Sequence, residues 1–154
     1  MNKEKEISQI SYKLDGFKIT KYSLNTPPIK IKKSTKVGFT FATKLDIDEP
    51  NNQIHIIIDV ETTGIIRKKP FLFGSIVTKT SFRIENLKTY MKSKKLLTLP
   101  RDFMIMMFGI AFSTTRGAHY AKGGETTQSQ FLLPLVDPSK LIPKPASVNT
   151  DKTK

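Results

Sequence analysis

The chain has 154 residues, enough for one domain with a sizeable buried core. It carries no cysteine, which excludes a disulfide framework and any thiolate metal site or thiol nucleophile. Its formal net charge of +13 points to an anionic partner, a nucleic acid or an acidic protein, or else to a surface simply solvated by lysine.

The charge is uneven. Residues 1–36 hold nine Lys against Glu4, Glu6 and Asp15, and residues 65–95 hold nine Lys and Arg against Glu85 alone. Between them, residues 37–64 set Lys44 against Asp46, Asp48, Glu49, Asp59 and Glu61. Lys greatly outnumbers Arg, whereas base-specific readers of nucleic acid lean on Arg forks, so the solvating reading leads.

The charged start, residues 1–6, is expected to be a disordered tail. No apolar stretch of the signal-peptide kind stands behind it. Leu14 to Leu24 reads as a first strand, with Phe17 and Ile19 alternating and then, after a break that suggests a bulge, Tyr22 and Leu24. Asn25-Thr26-Pro27-Pro28 interrupts it. Lys36 to Ile47 alternates cleanly through Val37, Phe39 and Phe41, and Asp48 to Asn52 is a turn. Gln53 to Thr63 is a second well-marked strand, with Ile54, Ile56, Ile58 and Val60 on one face and His55, Ile57, Asp59 and Glu61 on the other. Gly64 to Pro70 is a basic turn. Phe71 to Ile84, rich in Phe, Val, Ile and Thr, is a long fourth strand. Short turns between these strands predict an antiparallel meander.

Thr89 to Leu97 reads as either a short helix or a basic loop. Pro100 suits position N1 of a helix, and Arg101 to about Thr115 is the one long helix, stopped at Gly117 or running on to Tyr120. Ser139 onward, with Pro143, Pro145 and repeated Lys, reads as a basic tail, disordered over 143–154. Strands first and a helix last predict an α+β fold, with residues 7–142 as the domain. Phe103 to Phe112 falls well short of the ~20 residues of a membrane span, so a cytoplasmic protein with no membrane partner is expected. That stretch is nevertheless apolar nearly all round. A surface helix shows one apolar stripe, so a second layer, another copy or a bound client, is expected over the face the sheet leaves open.

The order of elements resembles the SecB-like chaperones. The residues that carry the resemblance are Leu99-Pro100-Arg101 at the helix start, Ser113 to Gly117 with its Arg-Gly pair, and Leu132-Leu133-Pro134-Leu135-Val136-Asp137-Pro138. The resemblance spans about residues 10–142. It implies a SecB-like four-stranded antiparallel sheet followed by one long apolar helix. It also implies a non-catalytic holdase, in the secretion pathway or beside a toxin–antitoxin module, and assembly into a dimer or dimer of dimers. The chain departs from the family pattern in three ways. The loop Ala118 to Gln130 is long, prolines after Asp137 leave room for no more than a turn where a second helix belongs, and +13 is the wrong sign for the acidic members that dock on the translocation motor.

Catalytic patterns are weak. His55 and His119 lack any metal-ligand spacing, Asp59 and Glu61 read as a solvated strand face paired with Lys79 or Arg83, and Lys122-Gly123-Gly124 lacks the context of a phosphate loop. No enzyme activity, metal or other cofactor is expected. The apolar candidates are stronger. Met104, Met107 and Phe108 on the helix, Phe17, Tyr22, Leu24, Phe71 and Phe73 on strands, and Phe131 and Leu133 after the helix are the candidate client-binding residues, adaptable Met and aromatic side chains suited to unfolded polypeptide. The alternative is a basic nucleic-acid-binding module using the Lys-rich turns Ile65 to Lys69 and Lys88 to Lys95.

Overall fold

A computed structural model of the chain describes residues 10–124 and 130–144. The tails expected at 1–6 and 143–154 lie outside these residues, except for Pro143 and Lys144. Four antiparallel strands form one sheet: β1 Tyr12–Leu24, β2 Val37–Asp48, β3 Gln53–Ile66 and β4 Lys69–Ile84. Their order is β1-β4-β3-β2, so β2, β3 and β4 form the expected meander. β1 adds to the far side of β4, and the chain over 25–36 therefore passes from one edge of the sheet to the other.

The break in the pattern of β1 is structural. Register shifts between Leu14 and Gly16 and between Ile19 and Lys21 insert one extra residue each. They set Leu14, Phe17, Ile19, Tyr22 and Leu24 opposite Phe82, Thr80, Thr78, Ile76 and Gly74. Cross-strand partners share a face, so the spacing 14, 17, 19, 22, 24 keeps every apolar residue on the helix side. On β3, Ile54, Ile56, Ile58 and Val60 have no exposed surface, as their alternation predicts.

Three turns use left-handed backbone without glycine, one of them at Asn86 with φ 54° before Leu87. Asn52 has φ 53° after a single 3-10 turn at Glu49–Asn51. Arg67 and Lys68, at φ 50° and 64°, form the two-residue link between β3 and β4, where both positions need positive φ to match the twist of the strands.

The segment before the helix, expected as a short helix or a basic loop over Thr89 to Leu97, carries regular structure of another kind. Leu87–Tyr90 is a 3-10 turn, and β5 Met91–Ser93 pairs with β6 Leu96–Leu97 in a small hairpin. Leu87 anchors it with no exposed surface. The four lysines of the stretch leave no apolar stripe of helical period to dock, so the chain folds back instead.

The helix α1 spans Arg101–Gly123, with Pro100 as its N-cap rather than its first residue. It runs past Gly117 and stops at Gly124, whose φ of 52° breaks the helix. A mid-helix glycine costs about 1 kcal/mol, which the docking of Ala118 and His119 beyond it offsets. Phe103, Met107, Phe108, Ala111, Phe112, Thr115 and His119 face the sheet and are buried.

After the helix, residues 130–144 run back along it as a strap. Leu133 and Leu141 are buried in the same core as the helix. Arg116 Nε donates to the Leu133 carbonyl at 2.7 Å, and Thr43 Oγ1 on β2 donates to the Leu141 carbonyl at 2.5 Å. A Cβ on Gly109 would stand 3.3 Å from Pro138 Cγ, so glycine lets the strap lie close to the helix. The chain itself thus supplies part of the second layer that the all-round apolar helix demands. The only regular structure after Asp137, among the described residues, is a 3-10 turn at Pro138–Lys140, which Asp137 caps by accepting from Ser139 N at 3.0 Å.

Candidate functional site

Where the strap crosses the helix it leaves a cleft of about 380 Å³. Its helix wall is Gly109, Ser113, Gly117 and Tyr120, residues spaced one turn apart on the outward face. Its strap wall is Leu132, Leu135 and Val136. Leu135 is 86% exposed, Tyr120 56% and Leu132 52%. Small residues keep the helix wall low, and large apolar side chains stand unburied around it. Arg116 stands at the rim of this apolar patch. Reading the sequence alone singles out Leu132 to Val136 as an apolar segment and selects Leu133 within it, but not the Leu132, Leu135 and Val136 that line the cleft. Tyr120 carries no local signal at all.

The ten candidate residues read from the sequence do not gather in one place. Phe71, Phe73 and Phe131 form an aromatic cluster where β3 and β4 meet the helix C-terminus, with ring centroids 5.1 Å apart for Phe71 and Phe73 and 5.4 Å for Phe73 and Phe131. Gly64 is required beneath this cluster, since a Cβ there would stand 2.7 Å from the Phe73 ring. Leu24 lies opposite Gly74 at the same end and is exposed. Tyr22, on the β1 edge, donates to the Lys122 carbonyl at 3.3 Å, and Lys122 Nζ sits 5.6 Å from its ring centroid. Burial raises the Tyr22 phenol pKa above its ordinary value. Phe17 is half-buried further along β1, and Met104 lies at the other end of the helix beside Leu97 and Ile142. Phe73, Met107, Phe108 and Leu133 have no exposed surface and serve as core in this conformation.

Between helix and sheet runs a buried polar seam of Thr62, Thr78, Thr80, Thr115 and His119. His119 is neither solvated nor fully satisfied. Its Nε2 lies 3.4 Å from Thr62 Oγ1, its Nδ1 has no hydrogen-bond partner among the described residues, and burial holds its pKa below the ordinary histidine value.

The outer sheet face is polar. His55 Nδ1 is 2.8 Å from Ser81 Oγ, and its pKa is lowered by burial and then by the Lys79 charge. Arg83 clamps Asp15 at 2.8 Å, where Gln53 also donates, instead of pairing with Asp59 or Glu61 as the strand pattern suggests. Arg83 and Gln53 together hold the Asp15 carboxyl below its usual range. No cluster of three or more potential metal ligands occurs among the described residues. No helix there is long and apolar enough to cross a membrane.

No family model matches the chain, and no curated protein matches its sequence. Its fold is similar to that of the Rv1957 SecB-like chaperone of Mycobacterium tuberculosis, solved in complex with a ChAD peptide from the Rv1956 HigA1 antitoxin. That likeness has a TM-score of 0.59 at 10% identity and covers 81% of this chain and 90% of that one. A protein of unknown function from Streptococcus agalactiae also aligns, at a TM-score of 0.30 and 12% identity, over 74% of this chain and 88% of that one, and carries no argument. The first likeness, with the four-stranded antiparallel sheet and the long helix, makes the fold α+β and SecB-like.

Proposed function

We propose that the protein is a non-catalytic holdase that binds unfolded or partly folded polypeptide. The observation that carries this reading is the cleft between α1 and the strap, where Tyr120, Leu132 and Leu135 stay exposed on a fold shared with a peptide-bound SecB-like chaperone. Burying client side chains there would remove apolar area from both partners, a gain of roughly 25 cal/mol per Å² that needs no nucleotide. Among the residues expected from the sequence, Phe17, Tyr22, Leu24, Phe71, Met104 and Phe131 retain accessible surface and extend the contact area along β1 and around the helix ends. Phe73, Met107, Phe108 and Leu133 support them from below. A cytoplasmic homo-oligomer, joined through the part of α1 that lies outside the cleft, belongs to the same proposal.

The nucleic-acid alternative fits less well. Its two basic turns flank opposite ends of β4, Lys69 and Ile84, which a 16-residue strand sets about 50 Å apart. They do not make one continuous track for a phosphate backbone. The deciding experiment is aggregation of a chemically unfolded client diluted into buffer with and without the protein. Suppression at a stoichiometric ratio without ATP supports the holdase, and no suppression by an intact fold refutes it.

A further inference from the structure

β3 pairs with β2 up to Gly64, and β4 pairs with β1 from Gly74. Ile65 to Phe73 is therefore a hairpin tip that runs past both neighbouring strands. The segment 25–36 is tied to its stem at both ends. Asn25 N and Nδ2 donate to the Phe73 and Leu72 carbonyls at 2.8 and 2.9 Å. The Lys36 carbonyl oxygen stands 2.9 Å from where a Cβ on Gly64 would be. Arg67, Lys68 and Lys69 on the tip are exposed, as are Lys30, Lys32, Lys33 and Lys36 on the segment. None of these cations forms an ion pair among the described residues. No Asp or Glu occurs within residues 24–37 or 62–74. The first carboxylate back along β3 is Glu61, about 13 Å from Ile65 on the same outer face. Cations alone are ordinary solvated surface. Apolar side chains standing among them set this end apart: Ile65 is 57% exposed, Leu72 and Ile29 38%, and Leu24 36%. Ile65 pairs with Pro70 and Leu72 with Thr63, so Ile65 and Leu72 share the outer face of the tip.

We propose that this end docks on an anionic lipid surface, with its cations at the headgroups and Ile65 and Leu72 in the interface. Basic residues near acidic headgroups add attraction, and exposed aliphatic side chains gain by leaving water. A convex tip needs no matching cavity in a fluid surface. Other occupants fit less well. Nucleic acid phosphates would meet the lysines, but bases gain nothing from Ile65, Leu72 or Ile29, and the Phe71 and Phe73 rings are packed on one another. A second copy set tip to tip would oppose cations with cations. Set head to tail, it would offer the acidic stretch 46–49, where Asp46 is already paired with Lys44 and Asp48 accepts from Asn51, and such a contact does not close. Docking needs no spanning helix, and none occurs among the described residues. The expectation of no membrane partner rests on span length alone, and this proposal revises it. The surface lies apart from the helix cleft and does not depend on the holdase reading.

The test is co-sedimentation of the full chain with vesicles of equal parts phosphatidylglycerol and phosphatidylcholine, against vesicles of phosphatidylcholine alone. Binding should be about tenfold or more stronger to the first and should fall as salt rises. Arg67→Asn with Lys68→Gly removes two charges and suits two positions of positive φ, so the turn is kept. This variant should bind the anionic vesicles about tenfold more weakly. Its oligomeric mass and its suppression of client aggregation should stay unchanged. The chain has no tryptophan, so Ile65→Trp gives a single reporter. Its emission should shift to the blue on anionic vesicles, which adhesion by charge alone would not produce. Equal sedimentation with both vesicles, no blue shift, the same shift with a single-stranded oligonucleotide or with poly-glutamate, or a lower oligomeric mass in the charge variant would each overturn the proposal. Suppression of aggregation without vesicle binding removes this surface alone, and vesicle binding without suppression removes the holdase alone.

Discussion

Thr78 Oγ1 on β4 and Thr115 Oγ1 on α1 lie 2.6 Å apart with neither residue exposed. Thr115 spends its proton on the Ala111 carbonyl at 2.8 Å, so Thr78 is the donor between them. With the longer contact between Thr62 Oγ1 and His119 Nε2 at 3.4 Å, this link fixes the helix on the sheet through the buried polar seam.

Breaking that link from one side should be costly. Thr115→Val leaves the Thr78 hydroxyl buried without an acceptor, and urea denaturation should show a loss of about 1–3 kcal/mol. The double variant Thr78→Val, Thr115→Val, of the same shape and with nothing left unpaired, should recover most of it.

The buried His119 predicts a pH dependence. Its pKa is lower folded than unfolded, so the unfolded chain binds more protons and stability rises with pH. The contribution is complete above the unfolded value of ~6.5 and is lost as pH falls below it. His55 shifts in the same direction. Denaturation midpoints should therefore fall between pH 7 and pH 5, and His119→Gln should flatten that slope more than His55→Gln. Asp15 and Asp137 are depressed carboxylates, whose stabilisation is lost only at lower pH, as it falls through their folded values below 3.8.

The cleft can be tested without disturbing the fold. Leu135, the most exposed apolar residue, should tolerate Leu135→Ser within about 0.5 kcal/mol, because exposed substitutions away from packed features seldom exceed that. Combined with Leu132→Ser it should weaken client binding several-fold at an unchanged melting temperature.

Assembly should respond to the part of α1 outside the cleft rather than to the buried face. Ile105 is half-buried on α1, outside the cleft lining, so Ile105→Arg should leave a folded protein with the mass of a monomer by light scattering, against an oligomer for the parent chain. Met107→Asp or Phe108→Asp would place an unpaired charge where no surface is exposed and should unfold the protein instead.

Much of this architecture is legible in the residues themselves. Ile54 to Val60 and Val37 to Phe41 alternate with period two, and that period survives into the sheet because one face of β3 is buried and the matching face of β2 is half-buried. β1 is legible only with its bulges, since 14, 17, 19, 22 and 24 is no regular period. The end of α1 is not legible at Gly117, because His119 docks two residues later and tertiary packing outweighs the local stop. The cleft is least legible. Choosing the largest apolar side chains on the helix and strands selects Phe73, Met107 and Phe108, which the core consumes first. The exposed Tyr120 and Leu135 look no different in the sequence, and only the path of the strap over Gly109 leaves them uncovered.

The most direct measurement is light scattering from an aggregating unfolded client in the presence of the parent chain and of Leu132→Ser with Leu135→Ser, without nucleotide. The account predicts suppression by the parent at a stoichiometric ratio and a several-fold higher requirement for the variant. Equal aggregation with and without the parent chain, while its circular dichroism and oligomeric mass stay intact, would contradict it.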